Sequence, residues 1–236
     1  MKTNKLIGIL LFLTLLSCKR ASDHSLLEFK DTSENNGLLH LSIYNLGDFK
    51  WMNKPRTFTL KNGILNVVAD KETDFFNNPE DNEITATAPL LFKEVTGDFV
   101  VEALVRPDFS SLWNAAALMI YIDKTHWIKF AFENSDATGQ SIVSVVTRGV
   151  SDDANGVILT DQDRVWLKIV RKNNIYSMHW SLDGHDFKMA RLSAMPSADP
   201  VKVGIEVQCP VGESANHQID YFSLTKTTVK NLRKGE

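Results

Sequence analysis

The feature that most limits the fold of this chain is a series of short apolar or alternating runs, each about the length of a strand. Gly, Asn, Asp and Pro separate these runs at intervals close to those of β-sandwiches, and no long stretch has helical period. Residues 172–174 and 182–185 predict tight turns. The pattern therefore predicts an all-β fold. The clearest predicted strands are residues 99–105, 115–122, 127–133, 142–148, 165–171, 175–181, 201–209 and 219–225.

The N-terminus has the layout of an export signal. Lys2 and Lys5 precede the apolar run 6–16, which is shorter than the ~20 residues that span a bilayer, and Ser17 and Cys18 follow it. Residues 15–18, Leu-Leu-Ser-Cys, resemble the bacterial lipobox. That resemblance implies a diacylglycerol on the Cys18 thiol and cleavage just before it. An ordinary secretory signal with an incidental cysteine, or a weakly hydrophobic helix, is the alternative.

This interpretation divides the chain into a lipoprotein signal peptide (1–17), an acylated cysteine with a polar linker (18–40), a β-sandwich domain (41–228) and a short tail (229–236). It predicts a lipid-anchored protein of the bacterial cell envelope, periplasmic or on the outer surface. The lipid anchor is then its only contact with a membrane.

Charge and cysteine content narrow the function classes. The formal net charge of −3 gives no basic field for nucleic acid. With Cys18 carrying lipid, only Cys209 remains, so no disulfide framework is possible. Cys209 ends an apolar run, which predicts a small buried side chain rather than a nucleophile.

The run 127–133 supplies the candidate site. Its period of two places apolar side chains on one face and Trp127, Lys129 and Glu133 on the other, which we expect to be solvent or a groove. In the run 201–209, Glu206 points away from Val203, Ile205 and Val207, which predicts that Glu206 lies on a polar surface. Trp127, Trp113 and Trp180 could stack on sugar rings, although a sandwich of this size buries several aromatic side chains and a core position is favoured for each of the three.

The order of several short motifs resembles one known family, a family of unknown function (domain of unknown function 1349) whose fungal members are called regulation of enolase protein 1. The resemblance covers roughly residues 48–225. Its motifs are WMNKP at 51–55, TDF at 73–75, TGDF at 96–99, WIK at 127–129, VVTR at 145–148, SD at 151–152, SLDG at 181–184 and CPVG at 209–212.

The resemblance implies a concanavalin A-like jelly roll of two antiparallel sheets, a superfamily in which one sheet face commonly binds glycans. Two segments depart from the family. WNAAALM at 113–119 stands where the family often has YDQAGLM, and SDD at 151–153 stands where it often has SDW. If these positions line the family's groove, the charge and stacking surface of this groove differ.

We therefore expect a groove that binds carbohydrate or a glycoconjugate without catalysis. One alternative is a glycoside hydrolase or polysaccharide lyase that uses Glu133 with a second carboxylate; another is an envelope protein-interaction module. The run Glu-x-Asp-x-Glu of related glucanases is missing from the sequence. The candidate ligand-binding residues are Asp74, Trp127, Lys129, Glu133, Arg148 and Glu206.

No cofactor or metal site is predicted. The six histidines lack ligand spacing, and no phosphate loop or dinucleotide fingerprint occurs in the sequence. Residues 151–156 are rich in oxygen ligands, which leaves calcium open, but they lack the closing Glu of an EF-hand loop and predict a plain turn.

Overall fold

The computed structural model describes residues 30–32 and 35–236, and the regular structure of this part of the chain is β-structure. Within it, no helix has the length and apolarity needed to cross a membrane. The strands are β1 (Lys50–Met52), β2 (Thr57–Lys61), β3 (Ile64–Asp70), β4 (Phe75–Asn77), β5 (Ile84–Ala86), β6 (Leu90–Val95), β7 (Phe99–Arg106), β8 (Ala115–Asp123), β9 (His126–Ser135), β10 (Gly139–Arg148), β11 (Val150–Ile158), β12 (Val165–Lys172), β13 (Ile175–Ser181), β14 (Lys188–Ala194), β15 (Val201–Gln208) and β16 (Ser214–Thr225).

Two seven-stranded antiparallel sheets and one small ribbon organise these strands. The first sheet has the order β1-β6-β15-β8-β9-β10-β11, and the second has the order β14-β13-β12-β7-β16-β3-β2. Strands β4 and β5 pair only with each other and form the ribbon. The predicted all-β class with two antiparallel sheets is confirmed.

The main core lies between the two sheets and follows the period of two. Ile128, Phe130 and Phe132 of β9 point into it and meet residues such as Val101 and Ile169 from the second sheet. Each large apolar side chain buried in this way stabilises the fold by roughly 1.5–3 kcal/mol. Because alternate residues fill the core, Trp127, Lys129 and Glu133 must lie on the opposite side of the first sheet, which we call its outer face.

The eight predicted strands are present, with ends shifted by a few residues. The prediction of a turn at residues 151–156 is wrong, because this segment lies within β11 and pairs with β10. The pairing changes register between Ser141 and Val143, and Gly156 lets the two backbones approach: a Cβ there would lie 2.8 Å from the Ile142 carbonyl oxygen. The polar composition of β11 matches an exposed edge strand, whose side chains need no apolar alternation.

The packed chain begins before the predicted boundary at residue 41. Leu38 is fully buried in the main core, and Asn36 donates to the carbonyl oxygens of Gly63 and Asp220. At the other end, Val229 of the predicted tail is buried, and its carbonyl accepts a hydrogen bond from Lys172. The predicted signal peptide and Cys18 lie outside the described residues.

Candidate functional site

The ribbon lies across the outer face of the first sheet. Three hydrogen bonds of Asn77 hold the ribbon against the sheet. Its backbone N–H donates to Ser151 Oγ at 2.9 Å, and its side-chain amide donates to the carbonyl oxygens of Lys124 and Gly149. Phe75 and Ala86 of the ribbon pack on Trp127, Met119 and other outer-face side chains and form a second, smaller core. The ribbon therefore divides the outer face into a covered part and an open part.

The prediction that Trp127 faces an open groove is wrong. Its indole is 0% exposed and packs edge-on against Phe75, with ring centroids 6.1 Å apart. The period of two assigned Trp127 to the correct face, but the ribbon then covers that end of the face. Trp180, for which the core was the favoured position, packs in the main core, and Cys209 is buried as predicted.

Lys129 stands at the edge of the covered part and is held by three acceptors. Its ammonium donates to Asp74 Oδ1 at 2.9 Å, to the Phe75 carbonyl oxygen at 3.0 Å and to Gln208 Oε1 at 2.6 Å. Burial opposes the charge, but the neighbouring carboxylates of Asp74, Glu206 and Glu133 outweigh it and hold the Lys129 pKa above its ordinary value. Lys129 thereby joins the ribbon to the sheet through a buried ion pair.

Beside this ion pair, the outer face opens into a cavity of about 260 Å³. Its walls combine charged, polar and apolar side chains and come from the ribbon, from β9, β10, β11 and β15, and from the loops before β8 and after β9. The lining residues are Asp74, Phe76, Trp113, Lys129, Glu133, Asp136, Val145, Asp153 and Gln208. Of the predicted site residues, Asp74, Lys129 and Glu133 thus lie together at one cavity.

Trp113 forms the exposed aromatic part of the cavity wall. Its side chain is 37% exposed, and its backbone has a φ of 58°, in the left-handed region that non-glycine residues seldom adopt. Two hydrogen bonds hold that conformation: Trp113 N–H donates to the Asn134 carbonyl oxygen at 2.7 Å, and Gln208 Nε2 donates to the Trp113 carbonyl oxygen at 2.8 Å. Gln208 therefore connects the Lys129 ammonium to the Trp113 loop.

Glu133 lines the cavity although it is only 7% exposed. Within the described part of the chain, no group donates a hydrogen bond to its carboxyl. Burial raises the pKa of Glu133 to about 8, which Lys129 counteracts and the Asp74 carboxylate reinforces. At neutral pH most of this carboxyl is therefore protonated and can donate as well as accept a hydrogen bond.

The predicted surface position of Glu206 is wrong. Glu206 does lie opposite Val203, Ile205 and Val207, but it is 0% exposed, and neither of its carboxyl oxygens has a hydrogen-bond partner among the described residues. Burial raises its pKa to about 8; Lys129 lowers it, while Asp74 and Glu133 add to the rise. The side chain lies behind the cavity, next to Lys129.

Three alanines explain how these charged side chains fit on one sheet face. Ala115, Ala117 and Ala131 form a small buried cluster in β8 and β9. The strand register places Ala115 between Glu133 and Gln208, and places Ala117 between Ala131 and Glu206. Their methyl groups leave space that larger side chains would fill. Two of the three belong to the segment 113–119 that departs from the family pattern.

Sequence reasoning missed Asp136, Asp153 and Gln208 as lining residues. Asp153 stands where the family often has tryptophan, which was a usable signal; burial raises its pKa, although Lys129 opposes the rise. Gln208 lies two residues after Glu206 and so on the same face of β15. Asp136 follows β9 directly, and nothing in the sequence links it to Asp74.

Arg148 does not line the cavity. In the register of β9 and β10, Arg148 pairs with His126 while Ser141 pairs with Glu133, so Arg148 is at the far end of the strand. It also has the opposite parity to Val143 and Val145, which pack on the outer face. Its guanidinium donates to the Ala194 carbonyl oxygen at the edge of the second sheet.

The cavity is rich in carboxyl groups, but they do not converge. Over residues 30–32 and 35–236, no three His, Cys, Asp or Glu side chains are arranged to hold one metal ion. Residues 151–156 belong to an extended strand, in which successive side chains point to opposite sides. The arrangement offers separate acceptors, one protonated carboxyl and one exposed indole.

Comparison with known proteins gives both a family and a fold. Residues 51–227 match the model of a family described as proteins of unknown function, DUF1349. Regulation of enolase protein 1 of Saccharomyces cerevisiae is 27% identical over 182 residues, which cover 77% of this chain and 91% of that protein. A solved structure of a functionally unknown Saccharomyces cerevisiae protein superposes with a TM-score of 0.72 at 24% identity, covering 77% of this chain and 98% of that one.

Two more distant structures share the fold. The GH43 protein BlXynB from Bacillus licheniformis gives a TM-score of 0.64 at 15% identity, over 84% of this chain and 40% of that one. The exoplasmic/lumenal domain of VIP36, bound to Ca²⁺ and Man3GlcNAc, gives a TM-score of 0.51 at 7% identity, over 81% of this chain and 89% of that one. Similarity at these identities shows the sandwich architecture alone.

Proposed function

The chain belongs to DUF1349, a family of proteins of unknown function, and we propose that it binds one sugar unit of a carbohydrate or glycoconjugate in the cavity beside Lys129. The observation that carries this proposal is the combination of an exposed indole, Trp113, with nearly buried polar groups in one cavity of about 260 Å³. Ligand sites are concave, with a few fixed polar groups that orient the ligand.

Each part of the cavity has a role in this proposal. Trp113 stacks on the apolar face of the sugar ring, and Asp74 and Asp153 accept hydrogen bonds from hydroxyl groups. Glu133, whose carboxyl has no donor among the described residues, contacts a further polar group of the sugar, as a donor when protonated and as an acceptor when ionised. Lys129 keeps Asp74 and Gln208 in place rather than binding the sugar directly. The complex of the VIP36 domain with Man3GlcNAc supports the proposal by analogy of fold.

A glycan array with the purified protein tests this proposal. We expect binding to at least one glycan and a loss of roughly tenfold or more in affinity for Trp113→Ala and for Glu133→Ala, equivalent to ~1.4 kcal/mol. Tyr44→Ala is the control, because Tyr44 is 92% exposed and does not line the cavity. Failure to bind any glycan, or equal loss in the Tyr44 variant, contradicts the proposal.

The proposal includes membrane attachment through a lipid on Cys18, supported by the charged, apolar and lipobox-like segments of residues 1–18. Metabolic labelling with a fatty-acid analogue in a bacterial host tests it. We expect label and membrane recovery for the natural chain and for Cys209→Ser, and neither for Cys18→Ser. Equal labelling of the two cysteine variants contradicts the assignment.

The raised pKa of Glu133 favours a second candidate function, glycosidic bond cleavage with Glu133 as general acid and a second carboxylate such as Asp74. This candidate predicts product release from a polysaccharide panel. Glu133→Gln then lowers the turnover rate at least ~10²-fold, as removal of a positioned acid does. If no product forms from any glycan that the protein binds, binding alone remains.

A further inference from the structure

We propose that the sugar unit in this cavity carries a free, positively charged amino group, as in a hexosamine that is not N-acetylated. The inference rests on the proposed carbohydrate-binding function and specifies its ligand class. The cavity contains more acidic groups than its single internal cation can balance, and the excess faces the space where the ligand would lie.

Lys129, the cation that lines the cavity, has no donor left for a ligand. The three N–H groups of the Lys129 ammonium have three acceptors, Asp74, the Phe75 carbonyl and Gln208, all within 3.0 Å. A lysine ammonium has no further donor. Its charge is balanced by the Asp74 carboxylate at 2.9 Å, so the pair presents little net charge to a ligand.

The remaining ionisable groups are all acids. Glu133, Asp136 and Asp153 line the cavity, and Glu206 lies behind it. Glu133 receives no hydrogen bond from the described part of the chain, and both Glu206 oxygens lack partners there although the side chain is 0% exposed. Buried carboxyl groups normally have donors, so the carboxyl of Glu133, which lines the cavity, is available to a ligand that brings its own donor.

A primary ammonium fits this arrangement better than a neutral hydroxyl group. It brings a positive charge as well as N–H donors, and the charge compensates carboxyl groups that now share a raised pKa. Trp113 at the rim then contacts the ring that carries the amine.

Isothermal titration calorimetry of the full protein with three matched oligosaccharides tests the inference: a glucosamine oligomer, its fully N-acetylated counterpart and a neutral glucose oligomer of the same linkage and length. We expect the amine oligomer to bind at least roughly tenfold more tightly than either of the others. Its affinity should be roughly tenfold higher at pH 6.5 than at pH 5, because a carboxyl with a pKa near 8 is ionised far less often at pH 5, while the sugar amine is still largely protonated at both pH values.

The charged groups that face the Glu133 carboxyl are Lys129, Asp74, Asp136, Asp153 and Glu206. Binding of a positively charged amine should favour the ionised carboxylate, so Glu133 should release a proton when the amine binds. Heats measured in buffers of different ionisation enthalpy should report this release. Asp153→Asn should lower the preference for the amine oligomer about fivefold. Asp152→Asn is the matched control, because Asp152 is the adjacent residue of β11 but pairs with Arg191 away from the cavity.

The outcomes separate the two proposals. Equal affinity for all three oligomers overturns the ammonium inference and leaves carbohydrate binding intact. No affinity for these oligomers or for any glycan on the array overturns both. A simple alkylamine that binds as tightly as the glucosamine oligomer overturns the sugar requirement, and an equal effect of Asp152→Asn and Asp153→Asn overturns the assignment of the amine to this cavity.

Discussion

Glu206 shows how one residue can be tolerated in a place that its charge does not suit. An ionised carboxylate without hydrogen bonds is costly in a protein interior, and Glu206 has no donor among the described residues. The side chain therefore keeps its proton, and its pKa rises to about 8. Lys129, which is nearby, is already occupied by three other acceptors and can favour ionisation only through its charge.

The Glu206→Gln variant should separate the effect of this proton from the effect of side-chain shape. The folded pKa near 8 exceeds the ordinary value of 4.5, so the folded protein holds a proton that the unfolded chain releases. The stability that this proton contributes is present below about pH 4.5 and is lost as the pH rises through 8. Glutamine has no such proton to lose. We expect similar unfolding free energies for the two proteins at pH 5 and an advantage of ~2–4 kcal/mol for the variant at pH 8.5.

Urea unfolding at the two pH values measures this difference. Glu94→Gln, at an exposed position of β6, serves as the control and should change stability by less than ~0.5 kcal/mol at either pH. A Glu206→Gln effect of the same size at pH 5 and pH 8.5 would show that the carboxyl is ionised in the folded protein.

At the scale of elements, the ribbon determines where the site is. It has two strands of only three residues, so it carries too little alternation to be predicted from the sequence, and its place over the first sheet comes from a few polar contacts. Asn77 makes two side-chain hydrogen bonds that tie the ribbon to the loops beside β9 and β11. Without them, this end of the ribbon would be held by the backbone bond from Asn77 to Ser151, by the packing of Phe75 and by the bonds of Lys129.

Asn77→Ala should therefore loosen the ribbon without unfolding the sandwich. Loss of two side-chain hydrogen bonds leaves two carbonyl groups without donors, and we expect a cost of ~1–3 kcal/mol. Hydrogen exchange should accelerate at residues 75–77 and 84–86, while amides in the centre of β9 stay protected. Asn78→Ala is the control, because Asn78 directly follows β4 and its side chain, among the described residues, bonds only to Glu80 N–H. Uniform acceleration across the first sheet would contradict this view.

The close approach of β6 and β15 depends on Gly204. A Cβ at this position would lie 1.8 Å from the Leu91 carbonyl oxygen, a clash with backbone that no side-chain movement relieves. Gly204→Ala should separate the two strands and cost about 3 kcal/mol, with a loss of ligand binding because Glu206 and Gln208 follow on the same strand.

Gly97→Ala provides a comparison for that prediction. Gly97 has a φ of 73°, and a Cβ there would meet nothing within 4 Å, so the substitution carries only the cost of the left-handed backbone, ~1 kcal/mol. Thermal unfolding of both variants tests whether Gly204→Ala is the more destabilising of the two substitutions. A Gly97 variant that is less stable than the Gly204 variant would contradict the argument from strand spacing.

A strand of this fold can be predicted from the sequence when apolar and polar residues alternate regularly along it. Strands β7, β9 and β12 each fill the core with alternate large side chains, so their sequences indicate both their type and their buried face. The exposed edge strand β11 has no such pattern, and it was predicted as a turn. The same limit applies to the site. The period of two placed Lys129 and Glu133 on one face, but contacts between residues distant in sequence decide that Trp127 is covered and Trp113 is not.

At the scale of the whole molecule, the segment before residue 41 is part of the folded body. Asn36 spans the junction between β16 and the turn after β2: its amide donates to the Gly63 and Asp220 carbonyl oxygens, and its Oδ1 accepts from Phe222 N–H at 3.2 Å. Leu38 then enters the main core. The packing of residues 35–40 could not be predicted from their polar composition, because Leu38 is the one large apolar side chain among them that is fully buried.

A chain that begins at residue 41 should consequently be less stable than one that begins at residue 35. The shorter chain leaves the Leu38 site empty and removes the acceptor of Phe222 N–H, so we expect a loss of at least ~3 kcal/mol. Leu38→Ala in the longer chain should account for ~2–4 kcal/mol of that loss, since it creates the cavity but keeps Asn36. Leu39→Ala is the matched control at an exposed neighbouring leucine and should cost less than ~1 kcal/mol.

Urea unfolding of the four proteins tests this order. If the chain from residue 41 were as stable as the chain from residue 35, the segment would be a linker, as its composition indicates, and the sandwich would be complete without it. Lys30 also contacts the sandwich, because its N–H donates to the Asp183 carbonyl oxygen and its ammonium pairs with Glu102. If the shorter chain is destabilised as expected, the residues before 30 therefore set the distance between the sandwich and any anchor at Cys18. An anchored protein would then hold its cavity closer to the membrane than a linker extending to residue 40 would allow.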